Sequence, residues 1–150
     1  MAKIEVLAPL DGMVVPLEDV PDEVFAQKMA GDGVAIDPSG QVAVAPVTGD
    51  LVKLFPGGHA FGISMSNDVE LIVHIGLDTI ELKGQGFENI ATEGQKVQAG
   101  TSIVRFDRAK IERTGKVMLS PVVSSGAGTI VHRASGTVRA GRDVLFVLEV

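Results

Sequence analysis

The chain has no cysteine, no tryptophan and no tyrosine among its 150 residues. Without cysteine there is no disulfide frame, no thiol nucleophile and no thiolate metal site, which fits a cytoplasmic setting. With six Phe as the whole aromatic complement, there is little on which to stack nucleic-acid bases. Positive charge is also short. Thirteen Lys and Arg against 19 Asp and Glu leave a net charge of −6, and no basic run marks a nucleic-acid footprint. No segment approaches the ~18 uninterrupted apolar residues of a membrane span. The opening MAKIEVLAPLDG carries neither an apolar core nor a cleavage pattern, so no signal peptide is expected.

Apolar residues and turn formers are plentiful. Hydrophobic residues make up 45% and charged residues 21%, with 18 Gly and 7 Pro. The length suits one domain of the usual ~100–200 residues, and no linker interrupts it, so residues 1–150 read as a single domain. Thirteen short β-type runs recur between Gly, Pro, Asn and Asp punctuation, from 4–7 through 59–65, 69–75 and 118–123 to 144–150. Helical spacing is confined to 21–30 (PDEVFAQKMA), stopped by Gly31-Asp32-Gly33, and to 107–114 (DRAKIERT). The expected fold is all-β: an antiparallel sandwich or barrel with repeated hairpins and one or two very short helices. Two echoes stand out. Residues 8–15 (APLDGMVV) match 45–52 (APVTGDLV), and 97–100 (VQAG) match 138–141 (VRAG). In each the glycine is expected to adopt positive φ and feed the next strand. Convergent turn chemistry and a true structural repeat both fit.

There are three histidines: His59, His74 and His132. His132 reads as a surface or strand-edge residue. His59 and His74 open and close two neighbouring strand runs separated by Ser66-Asn67-Asp68, which predicts a hairpin. A two-residue Ser66-Asn67 turn pairs residue 59 with residue 74 and puts both rings on one face, with Phe61 and Ile72 beside them. A loop of odd length sends them to opposite faces. Two neutral imidazoles in an apolar ring could pack, bind a metal, or carry a phosphoryl group, one ring nitrogen attacking phosphorus while the second ring donates to a phosphoryl oxygen. These three uses remain open at this level.

The run from Val69 to Gly84 (VELIVHIGLDTIELKG), followed by Gly86-Phe87, resembles the active-site segment of the glucose-family enzyme IIA component of the bacterial phosphoenolpyruvate–sugar phosphotransferase system. Further segments match in family order. They are Ala8 to Gly12, Glu18 to Ala26, Gly31 to Gly33, Ala45 to Val47, His59-Ala60-Phe61, Glu93 to Val97, Arg105 to Asp107 and Ser120-Pro121-Val122-Val123. The resemblance spans essentially the whole chain and implies an antiparallel β-sandwich. It implies that His74 is phosphorylated through Nε2 and that His59 hydrogen-bonds the phosphoryl group. Asp22 and Asp78 match acidic residues beside the family's histidine pair, and Val24, Phe25, Met29, Phe55, Phe61 and Ile72 fall where the family has an apolar docking ring. It implies HPr as phosphoryl donor and a cysteine of a sugar permease's IIB domain as acceptor, with regulatory target proteins beyond these. No cofactor is implied. In some members the two histidines bind zinc together with a target protein's carboxylate.

The match has departures. Gly57 stands where many members have a threonine whose hydroxyl supports the active site, so support is expected from solvent or backbone. Asn67-Asp68 stands where a glycine is common, and Ala30 and Ile72 are smaller than the family's residues there. Acidic net charge suits a basic partner surface. Judged by spacing alone, Phe25 and Met29 read as core and Asp32 as turn chemistry. Asp78 reads equally as a turn residue or a site residue, and Glu70 as a hairpin-edge charge. Three rival functions compete with this reading. A zinc peptidase of related β architecture lacks ligands, since Ile63 stands four residues after His59 and Ile75-Gly76 follow His74 where a second histidine is needed. A lipoyl or biotinyl carrier lacks its hairpin lysine. A regulatory module could use the same face without turnover.

Overall fold

A computed structural model describes residues 2–66 and 68–150. Within them the chain runs β1 (Lys3–Leu7), β2 (Gly12–Pro16), a 3-10 turn (Leu17–Asp19), α1 (Glu23–Ala26), β3 (Asp32–Pro38), β4 (Val42–Val44), β5 (Gly49–Leu54), β6 (Ala60–Met65) and β7 (Val69–His74). A second 3-10 turn (Thr79–Leu82) follows, then β8 (Phe87–Asn89), β9 (Lys96–Val97), β10 (Ser102–Phe106), α2 (Arg108–Arg113), β11 (Ser120–Gly126), β12 (Thr129–Arg133), β13 (Thr137–Val138) and β14 (Val144–Glu149). An eight-stranded sheet in the order β13-β2-β3-β11-β7-β6-β5-β9 and two three-stranded sheets, β1-β14-β12 and β4-β10-β8, enclose the core. Strands β3, β11, β7 and β6 are neighbours by antiparallel pairing. Period-two alternation sends Val69, Leu71 and Val73 of β7 inward, against Ile63, Phe61 and the buried Phe106 and Phe146.

The all-β expectation holds, and so do both short helices, although they are shorter than their periodic patterns. α1 stops at Ala26, not at Gly31. Lys28 takes left-handed φ of 61°, with Lys28 N–H donating to Phe25 O and Met29 N–H to Val24 O. This is a Schellman stop built on lysine instead of glycine, and it sets Met29 beside Val24 at the surface. His132 lies exposed on β12, a sheet edge, as expected.

The echoes prove to be a structural repeat. Leu7 N–H donates to Pro46 O and Val44 N–H to Pro9 O, both at 2.9 Å. Gly100 N–H donates to Ala45 O and Gly141 N–H to Ala8 O, both at 2.8 Å. Ala99 N–H donates to Thr48 Oγ1 (3.0 Å) and Ala140 N–H to Asp11 Oδ1 (2.7 Å). Each bond has its counterpart on the other copy, so the two motifs face each other across a pseudo-twofold axis. Gly100 and Gly141 adopt positive φ as expected. Gly49 does not; it lies against the Ser64 carbonyl of β6, where a Cβ would strike, so close strand approach is its reason.

The hairpin register differs from the two-residue-turn reading. Met65 faces Val69 and Ala60 faces His74. Three residues, 66–68, therefore make the connection, and the part of the expected turn resting on Asn67 lies outside the described residues. Because one residue of slip reverses every side chain, Phe61 pairs with Val73 and points into the core, 1% exposed. It is not part of the histidine face.

Candidate functional site

His74 ends β7 on the outward face it shares with Glu70 and half-buried Ile72. Below them β6 offers small residues at the facing positions, Ala60 and Gly62, and the Glu70 carboxylate lies over Gly62. His59 reaches the same face by a different route. It sits one residue before β6, after a turn in which Gly58 N–H donates to Phe55 O (2.8 Å) and Gly58 takes φ of 82°. Its carbonyl still accepts from Ile75 N–H (2.7 Å), but strand alternation has not yet begun. An odd-length connection therefore still leaves the two imidazoles together, with centroids 5.4 Å apart and planes at 70°.

Two phenyl rings bracket the pair. Phe25 of α1 lies 5.3 Å from His74, and Phe55 lies 4.8 Å from His59. The Lys53 ammonium sits 5.0 Å from the Phe55 centroid, within cation–π range. A Cβ at Gly57 would lie 3.6 Å from His59 Nδ1. The His59 ring is thus held by aromatic neighbours, without a hydroxyl at position 57.

The two histidines differ electrically. Burial pushes His59 down to about 4, and the neighbouring His74 adds to the shift. Burial also lowers His74, opposed by its hydrogen bond to Gly76 and by the charges of Asp22 and Asp78. Both rings are therefore neutral at pH 7. His74 Nδ1 lies 2.6 Å from Gly76 O. A carbonyl can only accept, so Nδ1 carries the proton and Nε2 keeps its lone pair.

Asp22 caps α1, accepting from Val24 N–H at 3.0 Å. Asp78 is exposed in left-handed conformation at the start of the second 3-10 turn. The turn reading of Asp78 holds, and its negative charge opposes the lowering of the His74 pKa. Asp32 leaves the site. It accepts from Gly33 N–H and pairs with Arg133 and Lys28. Around the histidines Val24 is 47% exposed and Met29 70%, whereas Phe25 is 8% exposed and packs with Leu17 and Val20. Ile80, 59% exposed, joins this apolar surface from the second 3-10 turn. It also lines a cleft of about 370 Å³ with Phe55, Pro56, Gly57, His59 and Lys83. The sequence reading missed Ile80, which gains its place through a turn that leaves no periodic mark, and Lys53, which the two-residue period places beside Phe55 along one extended segment. Among the described residues no group of three or more His, Asp or Glu gathers as a metal site.

Residues 4–138 match the family model described as phosphoenolpyruvate-dependent sugar phosphotransferase system, EIIA 1. The chain is 45% identical over 149 residues to the glucose-specific EIIA component of Haemophilus influenzae, covering 98% of this chain and 90% of that one. It is 41% identical over 146 residues to the N-acetylglucosamine-specific EIICBA component of Klebsiella pneumoniae, covering 95% of this chain and 22% of that longer one. Glucose permease IIA from Mycoplasma capricolum superposes with a TM-score of 0.95 at 40% identity, over 99% of this chain and 97% of that one. The chain belongs to the EIIA type-1 family of the phosphoenolpyruvate-dependent sugar phosphotransferase system.

Proposed function

We propose that His74 Nε2 is the atom that takes the phosphoryl group in the family's relay, from phospho-HPr to a permease IIB domain. The observation that carries this is the bond from His74 Nδ1 to Gly76 O, which leaves Nε2 unprotonated on the apolar face. The Nε2 lone pair attacks phosphorus in line. The N–P bond of phospho-HPr breaks, and its electron pair returns to the HPr imidazole. The His74 proton stays on Nδ1 and is donated to the Gly76 carbonyl, which stabilises the positive charge now carried by the ring. In the second step the His74 N–P bond breaks toward the IIB cysteine sulfur and the ring returns to neutral. His59 hydrogen-bonds the phosphoryl oxygens, where charge stabilisation does most of the catalytic work. Val24, Phe25, Met29, Phe55, Ile72 and Ile80 form the docking face, and their burial under a partner excludes water that would hydrolyse the phosphoramidate. Asp22 and Asp78 raise the basicity of His74 and suit a basic partner rim. The chain acts as one domain in the cytoplasm, and the relatives' names point to glucose or N-acetylglucosamine as the sugar served.

The test is phosphosite mapping and intact mass after incubation with enzyme I, HPr and phosphoenolpyruvate, without permease. Wild-type protein gains one PO₃ at His74 and His74→Gln gains none. A stable phosphoryl group on His74→Gln refutes the assignment. A regulatory module without turnover predicts that His74→Ala leaves sugar phosphorylation intact, whereas the relay predicts its loss.

A further inference from the structure

The Ser120-Pro121-Val122-Val123 motif matches the family but supplies no exposed residue to the docking face and no member of the histidine pair. Ser120 is the first residue of β11, fully buried and 46 positions beyond His74 in a count from 74 to 120. Its hydroxyl lies 3.0 Å from Gly76 N and 2.7 Å from Met118 O. The chemistry of the partners orients both bonds. An amide N–H can only donate and a carbonyl can only accept, so the Ser120 proton points to Met118 O and an oxygen lone pair points to Gly76.

Gly76 supplies the carbonyl that holds His74 Nδ1. Three hydrogen bonds pin the two peptide units on either side of it. Ser120 accepts from Gly76 N–H. Thr79, itself 1% exposed, donates its hydroxyl to Ile75 O at 2.7 Å. Leu77 N–H donates to Val117 O at 2.9 Å. Gly76 has φ of 74°, and a Cβ there would come within 2.7 Å of Thr79 Cγ2 and 3.2 Å of Val117 O. The turn after β7 is therefore clamped between the second 3-10 turn and the approach to β11. The bonds on both ends of the 76–77 peptide polarise it in the direction that strengthens the carbonyl as an acceptor.

We infer that Ser120 is a positioning residue for the acceptor histidine: through Gly76 it fixes the ring orientation and the Nδ1–H tautomer of His74. This rests on the reading of His74 as the phosphorylated residue. Removing the hydroxyl leaves a buried donor at Gly76 and a buried acceptor at Met118 without partners. The turn relaxes to satisfy them, and the Gly76 carbonyl loses its aim.

The experiment compares wild type, Ser120→Ala and Ser120→Thr, which restores the hydroxyl. The ¹⁵N shifts of the unphosphorylated His74 ring report its tautomer, and single-turnover phosphorylation by phospho-HPr reports the rate. Wild type is expected to show one tautomer with the proton on Nδ1. Ser120→Ala is expected to show a mixture, with the maximal rate down about 10- to 100-fold, the scale of loss when a group orienting a metal-ligating histidine is removed. The HPr concentration giving half-maximal rate should not move, because Ser120 is fully buried and offers a partner no contact. Ser120→Thr should recover both readouts. A wild-type tautomer and rate in Ser120→Ala overturn the inference, and so does a Ser120→Thr protein as impaired as Ser120→Ala. If Ser120→Ala does not fold, Ser120→Cys keeps the volume with a weaker hydrogen-bonding group and must show the same shift in tautomer. The tautomer readout needs no phosphoryl group. A phosphosite mapped away from His74 therefore sinks the functional reading while leaving the Ser120–Gly76–His74 coupling to be judged on the spectra alone.

Discussion

The two halves of the histidine pair are built on opposite principles. His74 ends a regular strand, and a carbonyl bonded to its Nδ1 decides which nitrogen is free. His59 precedes its strand, arrives through a left-handed glycine, and is held between the ring of Phe55 and the ring of His74. Hydrogen bonding gives direction, so the His74 side suits an atom that must attack along one line. Aromatic packing gives position with a softer orientation, so the His59 side suits a ring that must follow phosphoryl oxygens as they move. Burial without strong compensation then drives His59 to about 4, while the Gly76 carbonyl, Asp22 and Asp78 restrain the fall of His74.

If the halves divide the labour this way, His59→Gln should still be phosphorylated at His74 but should pass the group on ~10²–10³-fold more slowly, the usual loss of one donor to developing charge. Rapid-quench measurement of transfer to the IIB domain checks it, and a wild-type rate would remove His59 from the mechanism. A second outcome concerns pH. His59 has a folded value near 4 against an ordinary value of 6.5. Between these limits the unfolded chain takes up a proton that the folded chain refuses. Stability should therefore fall as pH drops from about 6.5 to about 4 and then level off. Denaturant midpoints across this range should show the slope, and His59→Gln should flatten it; an equal slope in that variant would mean that other groups set the acid response. The smallest effect belongs to the clamp on Phe55. Lys53→Met removes a cation–π contact of ~0.5–1 kcal/mol, so transfer should slow by less than about fivefold. A larger loss would mean that Lys53 acts on the phosphoryl group directly and not through the ring.

Much of the fold was legible because alternation and punctuation are local. Strands β4 and β10 begin and end where their patterns do, and the capping aspartates of α1 and α2 stand just before their helices. β9 left no trace, since two residues have no period. The helix stop at Lys28 was hidden because a lysine in left-handed conformation is rare enough that the downstream glycine looked like the signal. At the site, the histidine pair and its carboxylates were visible, but Phe61 was placed on the wrong face. Its pattern is the same in either register, and the three-residue connection chose the inward one. The place of Ser120 had no local sign at all, for its partner Gly76 lies 44 residues away.

By itself the sequence determined an all-β chain, free of thiol chemistry, with two neighbouring imidazoles bordered by acids and apolar side chains. Those properties follow from residue types and short-range periodicity. The tertiary structure alone decided which ring nitrogen is left free, which phenylalanine faces outward and which distant hydroxyl aims the carbonyl behind His74. Each of these depends on strand register and on contacts between segments far apart in the chain, and a shift of one residue reverses them without altering any local pattern.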